Sequence, residues 1–139
     1  MAGSRTILII EDDRFISEMY GRTLEKAGYA VTIVTTGQEG IDAALRTRFD
    51  VILLDIMLPI KHGMQVLKEI RESTSETVKD VRVIIMTNFD QDEESRAAMQ
   101  SQADGYLIKA NITPSKLVTI IDSLFPKSLK HSENKVSSL

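Results

Sequence analysis

Five short runs of apolar residues alternate along the chain with longer segments in which apolar residues recur every three or four positions. The short runs have the length of β-strands, and the longer segments have the period of amphipathic helices. The predicted strands lie near residues 6–10, 30–34, 51–54, 83–86 and 106–108. Because a helix connects each strand to the next, neighbouring strands are parallel and the helices cover both faces. The pattern predicts an α/β fold with a doubly wound, five-stranded parallel sheet.

Short polar signals mark the predicted ends of the helices. Gly28 can end the first helix, and Thr113 followed by Pro114 is typical of a helix start. Two further pairs have the spacing of a capping box, Thr36 with Glu39 and Asp90 with Glu93. The alternation of strands and helices is therefore supported by local signals as well as by periodicity.

Four of the five predicted strands end at polar or charged residues. These residues are Glu11 and Asp12 after the first strand, Asp55 after the third, Thr87 after the fourth and Lys109 after the fifth. Ligands of open α/β sheets bind at the carboxyl ends of the strands, so we expect the five side chains to converge. Three carboxylates, a hydroxyl and an ammonium suit a magnesium-assisted phosphorylation, with Asp55 as the phosphate acceptor.

Each of these residues has a chemical role in such a site. The predicted ligands of Mg²⁺ are the carboxylates of Glu11, Asp12 and Asp55 and the backbone carbonyl of Met57. The ion would reduce the repulsion between the carboxylate nucleophile and the phosphoryl group. Thr87 can donate a hydrogen bond to a phosphate oxygen, and Lys109 can balance its charge. Taken singly, each residue is also explained as a helix cap, a turn residue or a solvated charge. The combination favours the site.

Composition narrows the functional classes. With 139 residues, of which 42% are hydrophobic, the chain fits one globular domain. A net charge of −3 gives no electrostatic argument for binding nucleic acid or an anionic membrane, and the absence of cysteine excludes thiol chemistry. No apolar stretch approaches the roughly 20 residues of a membrane helix, so we expect a cytoplasmic protein. Residues 127–139 are polar and lack periodicity, which predicts a flexible tail after a domain at 5–126.

Several sequence segments at the strand ends also resemble those of a known protein family. The segments ILIIEDD (7–13), VILLDIMLP (51–59), Met86-Thr87 and DGYLIK (104–109) together resemble the receiver domain of two-component response regulators. The resemblance implies a flavodoxin-like sheet of strand order 2-1-3-4-5. It also implies that a sensor histidine kinase or a phosphotransfer protein phosphorylates Asp55.

The resemblance further implies a switch. After phosphorylation, Thr87 would move toward the phosphate and Tyr106 would turn into the vacated space. This change would alter a protein-binding surface formed by the fourth helix, fifth strand and fifth helix. Such a module is not an enzyme beyond catalysing its own phosphorylation and dephosphorylation.

The chain departs from the common family pattern near the site. Asn88 stands where a small residue is usual, and Ala110 stands where a proline is usual. Because a non-proline cis peptide is costly, we expect the Lys109–Ala110 peptide to be trans. Met57 and Phe89 are apolar and cannot position a hydrolytic water, which predicts slow self-dephosphorylation.

Three other functions would use a fold or a strand-end aspartate of this kind. A pseudo-receiver would bind partners without phosphorylation. A haloacid dehalogenase-like phosphatase needs a second aspartate where this chain has Met57. A flavin or nucleotide binder needs a glycine-rich phosphate loop, whereas this chain has acidic residues at 11–13. No helix-turn-helix or catalytic motif follows the receiver-like segment, and a stand-alone receiver and a fragment of a longer regulator both stay open.

Overall fold

The computed structural model describes residues 4–125, and its centre is a five-stranded parallel sheet. The strands are β1 (Thr6–Ile10), β2 (Ala30–Val34), β3 (Val51–Asp55), β4 (Arg82–Thr87) and β5 (Gly105–Ile108). Their order across the sheet is β2-β1-β3-β4-β5, with every neighbouring pair parallel. The predicted fold class and strand order are confirmed.

Five α-helices connect and cover the strands. They are α1 (Arg14–Lys26), α2 (Gly37–Arg46), α3 (Gly63–Glu72), α4 (Glu93–Gln102) and α5 (Pro114–Ser123), with short 3₁₀ turns at Glu76–Val78 and Lys109–Asn111. Helices α1 and α5 pack on one face of the sheet, and α2, α3 and α4 pack on the other. None of the helices described between residues 4 and 125 has the length and apolarity needed to cross a bilayer.

The central strands are buried on both faces. In β1, Ile7 and Ile9 belong to the core under α1 and α5, whereas Leu8 and Ile10 belong to the core under α2 and α3. Residues 51–54 of β3 divide between the two cores in the same alternating way. Because side chains alternate across a strand and both faces are covered, the buried strands appear in the sequence as continuous apolar runs.

Most of the predicted helix signals are confirmed, with one correction. Thr36 and Thr113 accept hydrogen bonds from backbone amides of the first turns of α2 and α5, and Gly28 has a φ of 104° after α1. The predicted start of α4 at Asp90 is wrong, because Asp92 caps that helix by accepting from Ser95 N at 2.8 Å. The Asp90 carboxylate instead bonds a tyrosine hydroxyl and an arginine of α4.

Two expectations concern the ends of the domain. The predicted flexible tail at 127–139, and the end of the domain at 126, lie outside the described residues.

No cis peptide occurs between residues 4 and 125, so the Lys109–Ala110 peptide is trans, as predicted.

Candidate functional site

The register of the strands brings the predicted site residues to one edge of the sheet. Ile10 of β1 pairs with Leu54 of β3, so the residues that follow them, Glu11 and Asp55, lie side by side. On the other side of β3, β4 ends at Thr87, which pairs with Ile108, the residue before Lys109. The carboxyl ends of β1, β3, β4 and β5 therefore meet at a single crevice.

Three carboxylates form a tight cluster in this crevice. Glu11, Asp12 and Asp55 each offer an oxygen, and these three oxygens lie within 4.8 Å of one another. Glu11 and Asp55 are each only 4% exposed, whereas Asp12 is exposed. A set of carboxylate oxygens that opens to solvent on one side suits Mg²⁺, which prefers oxygen ligands and keeps several of its waters. The cluster thus fits the ion that the sequence predicts.

Lys109 supplies the positive charge of the site. It lies in the 3₁₀ turn after β5, and its Nζ is 2.5 Å from Glu11 Oε1 and 3.5 Å from Asp55 Oδ1. Burial alone would lower the pKa of Lys109, but the hydrogen bond to Glu11 and the two carboxylate charges raise it above its ordinary value. The ammonium therefore stays charged at neutral pH and can meet a second anion beside Asp55.

The surroundings of Glu11 disfavour the charged form of its carboxyl group. Burial, with a smaller contribution from the Asp55 charge, raises the pKa of Glu11 to about 7, although Lys109 and the amide of Asp13 act in the opposite direction. Its Oε2 accepts from Asp13 N at 3.0 Å, while its Oε1 faces Lys109. Each oxygen keeps a lone pair, so Glu11 can still contact a cation directly or through a water.

The two oxygens of Asp55 have different surroundings. Oδ1 accepts a hydrogen bond from Met57 N at 3.0 Å and is the oxygen near Lys109. No hydrogen bond engages Oδ2 within the described part of the chain, residues 4–125. One oxygen is thus oriented by the backbone, and the other is available as a nucleophile.

Gly63 is part of the site although sequence reasoning missed it. A Cβ atom on Gly63 would lie 2.6 Å from the Asp55 carbonyl oxygen and 2.6 Å from Ile56 Cα. The first residue of α3 therefore touches the backbone that carries the acceptor. A glycine before an apolar helical stripe is the only signal in the sequence, and it does not reveal this contact.

Thr87 and Tyr106 are linked through the loop between β4 and α4. Thr87 is fully buried, and its hydroxyl donates to Phe89 O at 2.9 Å. The Tyr106 hydroxyl donates to Asp90 Oδ1 at 3.0 Å and accepts from Gln91 N at 2.8 Å. No sequence pattern identifies Asp90 or Gln91 as parts of the site, because their contacts depend on the conformation of the loop.

The other predicted residues line the mouth of the crevice. Met57 is 50% exposed and Phe89 is 72% exposed, and Asn88 is exposed as well. Apolar side chains therefore stand at the surface next to a charged interior.

Comparison with known proteins agrees with this geometry. Residues 7–122 match the family model for the response regulator receiver domain. The transcriptional regulatory protein YkoG of Bacillus subtilis is 37% identical over 103 residues, which are 74% of this chain and 43% of that protein. HprR of Escherichia coli is 36% identical over 103 residues, 74% of this chain and 44% of that protein. This chain thus spans less than half the length of these curated relatives.

Solved structures give the same result. Chemotaxis protein CheY4 of Vibrio cholerae superposes with a TM-score of 0.78 at 26% identity, covering 88% of this chain and all 100% of that one. The receiver domain of the sensor histidine kinase PA1611 of Pseudomonas aeruginosa gives a TM-score of 0.76 at 30% identity, covering 88% of this chain and 97% of that one. That domain carries a magnesium ion in its active-site cleft. On its sequence and its fold, the chain belongs to the family of response regulator receiver domains.

Proposed function

We propose that this receiver domain accepts a phosphoryl group on Asp55 from a phosphorylated histidine of a sensor kinase or phosphotransfer protein, and that it needs Mg²⁺ to do so. The observation that carries the proposal is the arrangement of charges around Asp55. Glu11 and Asp12 each offer a carboxylate oxygen within 4.8 Å of an Asp55 oxygen, and the Lys109 ammonium lies 3.5 Å from Asp55 Oδ1. An anionic acceptor beside both a cation site and a lysine is suited to anionic phosphate.

The reaction is a transfer between two nucleophiles. The free oxygen of Asp55 attacks phosphorus, a new P–O bond forms, and the P–N bond to the donor imidazole breaks. The leaving imidazole keeps the electron pair and takes up a proton, and Asp55 becomes an acyl phosphate. Glu11, Asp12, Asp55 and the carbonyl of Met57 would hold Mg²⁺. The ion would neutralise charge on the phosphoryl oxygens.

Lys109 has a second role in this proposal. Its ammonium now pairs with Glu11, and it lies close enough to Asp55 to contact a phosphoryl oxygen after a small rotation of the side chain. A cation held by Glu11 would compete with this ion pair and would leave the Lys109 ammonium available to the phosphate. The same charges are thus rearranged during the reaction, and no additional group is required.

The signal leaves the site through Thr87 and Tyr106. A phosphoryl group on Asp55 would accept a hydrogen bond from Thr87, and Tyr106 would turn toward the space that Thr87 leaves. Tyr106 lies on β5, so this movement changes the face formed by α4, β5 and α5. We propose that a downstream protein binds this face in the cytoplasm, and that this segment contacts neither nucleic acid nor membrane.

The proposal is tested by mass measurement after incubation with phosphoramidate or acetyl phosphate, with and without Mg²⁺. We expect the wild-type chain to gain one phosphoryl group only when Mg²⁺ is present. Asp55→Asn should gain none, whereas Asp42→Asn, which changes an exposed aspartate of α2, should react like the wild type. Equal labelling of Asp55→Asn would place the acceptor elsewhere. A wild-type chain that gains no mass would instead support the pseudo-receiver alternative.

A further inference from the structure

Gln91 lies between the two residues of the proposed switch and contacts both. Its backbone N–H donates to the Tyr106 hydroxyl at 2.8 Å. Its side-chain Nε2 lies 3.2 Å from Thr87 Oγ1 and 3.1 Å from Phe89 O, as a donor to each. A single residue of the β4–α4 loop therefore connects Thr87 with Tyr106.

These contacts fill the hydrogen-bonding capacity of Thr87. The Thr87 hydroxyl has one proton, which it donates to Phe89 O at 2.9 Å, and it accepts from Gln91 Nε2 at 3.2 Å and from Phe89 N at 3.4 Å. Thr87 is 0% exposed, so water cannot replace these partners. The hydroxyl must give up its bond to Phe89 O before it can donate to a phosphoryl oxygen on Asp55.

We propose that Gln91 is a positioning residue that holds Thr87 in the resting conformation and couples its release to Tyr106. The inference rests on the proposed phosphorylation of Asp55. It goes beyond that function because it assigns the resting-state restraint to a side chain that contacts neither the acceptor nor the acidic cluster.

The hydrogen bond from Gln91 favours the resting conformation of Thr87 over the turned one. The bond from Gln91 to Thr87 exists only while Thr87 faces Phe89. When Thr87 turns away, Phe89 O can keep Gln91 as its donor or take water, because the hydrogen bond from Gln91 Nε2 to Phe89 O is exposed to solvent. Removing the amide therefore destabilises the resting conformation more than the turned one. One hydrogen bond of this kind corresponds to a shift of roughly two- to tenfold in the equilibrium.

Tyr106 is hydrogen-bonded to the backbone of Gln91, the residue whose side chain contacts Thr87. Its hydroxyl fixes the backbone of Gln91 and is itself bonded to Asp90, whose carboxylate pairs with Arg96 of α4 at 3.1 Å. Loss of the Tyr106 hydroxyl frees the backbone from which the Gln91 side chain extends. The substitutions Tyr106→Phe and Gln91→Met should consequently be non-additive in a double-mutant cycle.

The test compares Gln91→Met, which keeps the length of the side chain and removes its donors, with Gln100→Met at an exposed position of α4. Binding of beryllium fluoride, a phosphoryl mimic, is measured by NMR titration at saturating Mg²⁺, and Mg²⁺ affinity is measured separately. We expect Gln91→Met to bind beryllium fluoride roughly two- to tenfold more tightly with unchanged Mg²⁺ affinity. Gln100→Met should match the wild type. Unchanged or weaker binding of beryllium fluoride by Gln91→Met overturns the proposal.

A second measurement separates this proposal from the phosphorylation itself. In the resting protein, without Mg²⁺ or phosphoryl donor, the methyl resonance of Thr87 should shift in Gln91→Met and stay in place in Gln100→Met. An unshifted resonance overturns the contact between Gln91 and Thr87. Failure of wild-type labelling by phosphoramidate, with the resonance shifted, would defeat the proposed function and leave the contact established.

Discussion

The side chains of the site show how a protein keeps charges in its interior. A carboxylate without a partner is costly to bury, and Glu11 and Asp55 are both almost completely buried. They share one ammonium, that of Lys109, and each also accepts a hydrogen bond from a backbone amide. With Asp12, the crevice contains three carboxyl groups and one ammonium, a composition that favours binding of a cation.

Met57 is the residue at which we expect phosphoryl lifetime to be set. It is half exposed at the mouth of the crevice, two positions after the acceptor, and its thioether cannot orient a water for attack on phosphorus. Met57→Asn introduces an amide that can. We expect hydrolysis of the labelled protein to become roughly three- to tenfold faster, the effect of one hydrogen bond in the transition state. The loss of phosphoryl mass with time measures this rate.

The control for this prediction is Met57→Leu, which keeps an apolar side chain of similar size. Its rate should equal that of the wild type, which we expect to lose its phosphoryl group over many minutes or longer. A wild-type half-life of seconds would contradict the assignment of slow hydrolysis to the apolar mouth.

Among the secondary-structure elements, the connection between β3 and α3 positions the acceptor most directly. Asp55 is the last residue of β3, and α3 begins at Gly63 with no room for a Cβ atom against the Asp55 carbonyl. Ile56 O also accepts from Gly63 N at 3.0 Å. The start of α3 thus contacts the backbone that carries the Asp55 side chain.

Gly63→Ala should therefore affect both folding and phosphorylation. The new methyl group would meet backbone atoms, which cannot move aside as a flexible side chain can. We expect a loss of about 1–3 kcal/mol in the free energy of unfolding, measured by urea denaturation, and slower labelling of Asp55 by phosphoramidate. Gly21→Ala in α1 is the matched control.

In that control, the tightest contact of the added Cβ would be with the mobile end of the Ile33 side chain, at 3.1 Å, and Val31 Cγ1 would lie at an ordinary contact distance of 3.8 Å. A glycine in the interior of a helix is also less favourable than alanine. Gly21→Ala should consequently keep its stability and its labelling rate. If Gly63→Ala labels at the wild-type rate, contact between α3 and the acceptor backbone does not position Asp55.

For the whole molecule, the buried acid links folding to pH and to cation binding. The pKa of Glu11 is raised from 4.5 to about 7 in the folded protein, so the folded state binds a proton that the unfolded state has released. Stability from this group is fully present below the unfolded pKa and is lost as pH rises through the folded pKa of about 7. The loss is about 3 kcal/mol at pH 8.

This dependence is measured by urea unfolding of metal-free protein between pH 4.5 and 8, in comparison with Glu11→Gln. The glutamine mimics the protonated acid, so the wild type should become less stable relative to Glu11→Gln as pH rises. Comparison of the two proteins cancels the contributions of other groups, such as Asp92, whose pKa is lowered by its hydrogen bonds to Ser95. A constant difference across this range would contradict a raised pKa for Glu11.

Mg²⁺ should restore the stability that the metal-free protein loses as pH rises. A cation at the acidic cluster favours the charged form of Glu11, so Mg²⁺ should stabilise the wild type more strongly at pH 8 than at pH 5. Glu11→Gln should show a smaller gain that depends less on pH.

Hydrophobic periodicity was enough to predict the sheet and the set of polar residues along one edge of it. Apolar runs at intervals that leave room for a helix specify parallel strands, and the carboxyl ends of parallel strands meet at one edge. Glu11, Asp55, Thr87 and Lys109 could therefore be expected together without any knowledge of their contacts. This inference succeeds because strand periodicity is local and because the handedness of the connections leaves few alternative topologies.

The arrangement of these residues depends on contacts that exist only in the folded protein. The choice of Asp92 over Asp90 as the cap of α4, the contact of Gly63 with the acceptor backbone, and the position of Gln91 between Thr87 and Tyr106 all depend on loop conformation. Loops are fixed by contacts between residues distant in the chain, and no periodic pattern encodes them. The pKa of Glu11 likewise depends on burial by surrounding elements, so the charge state of the site is a property of the folded molecule.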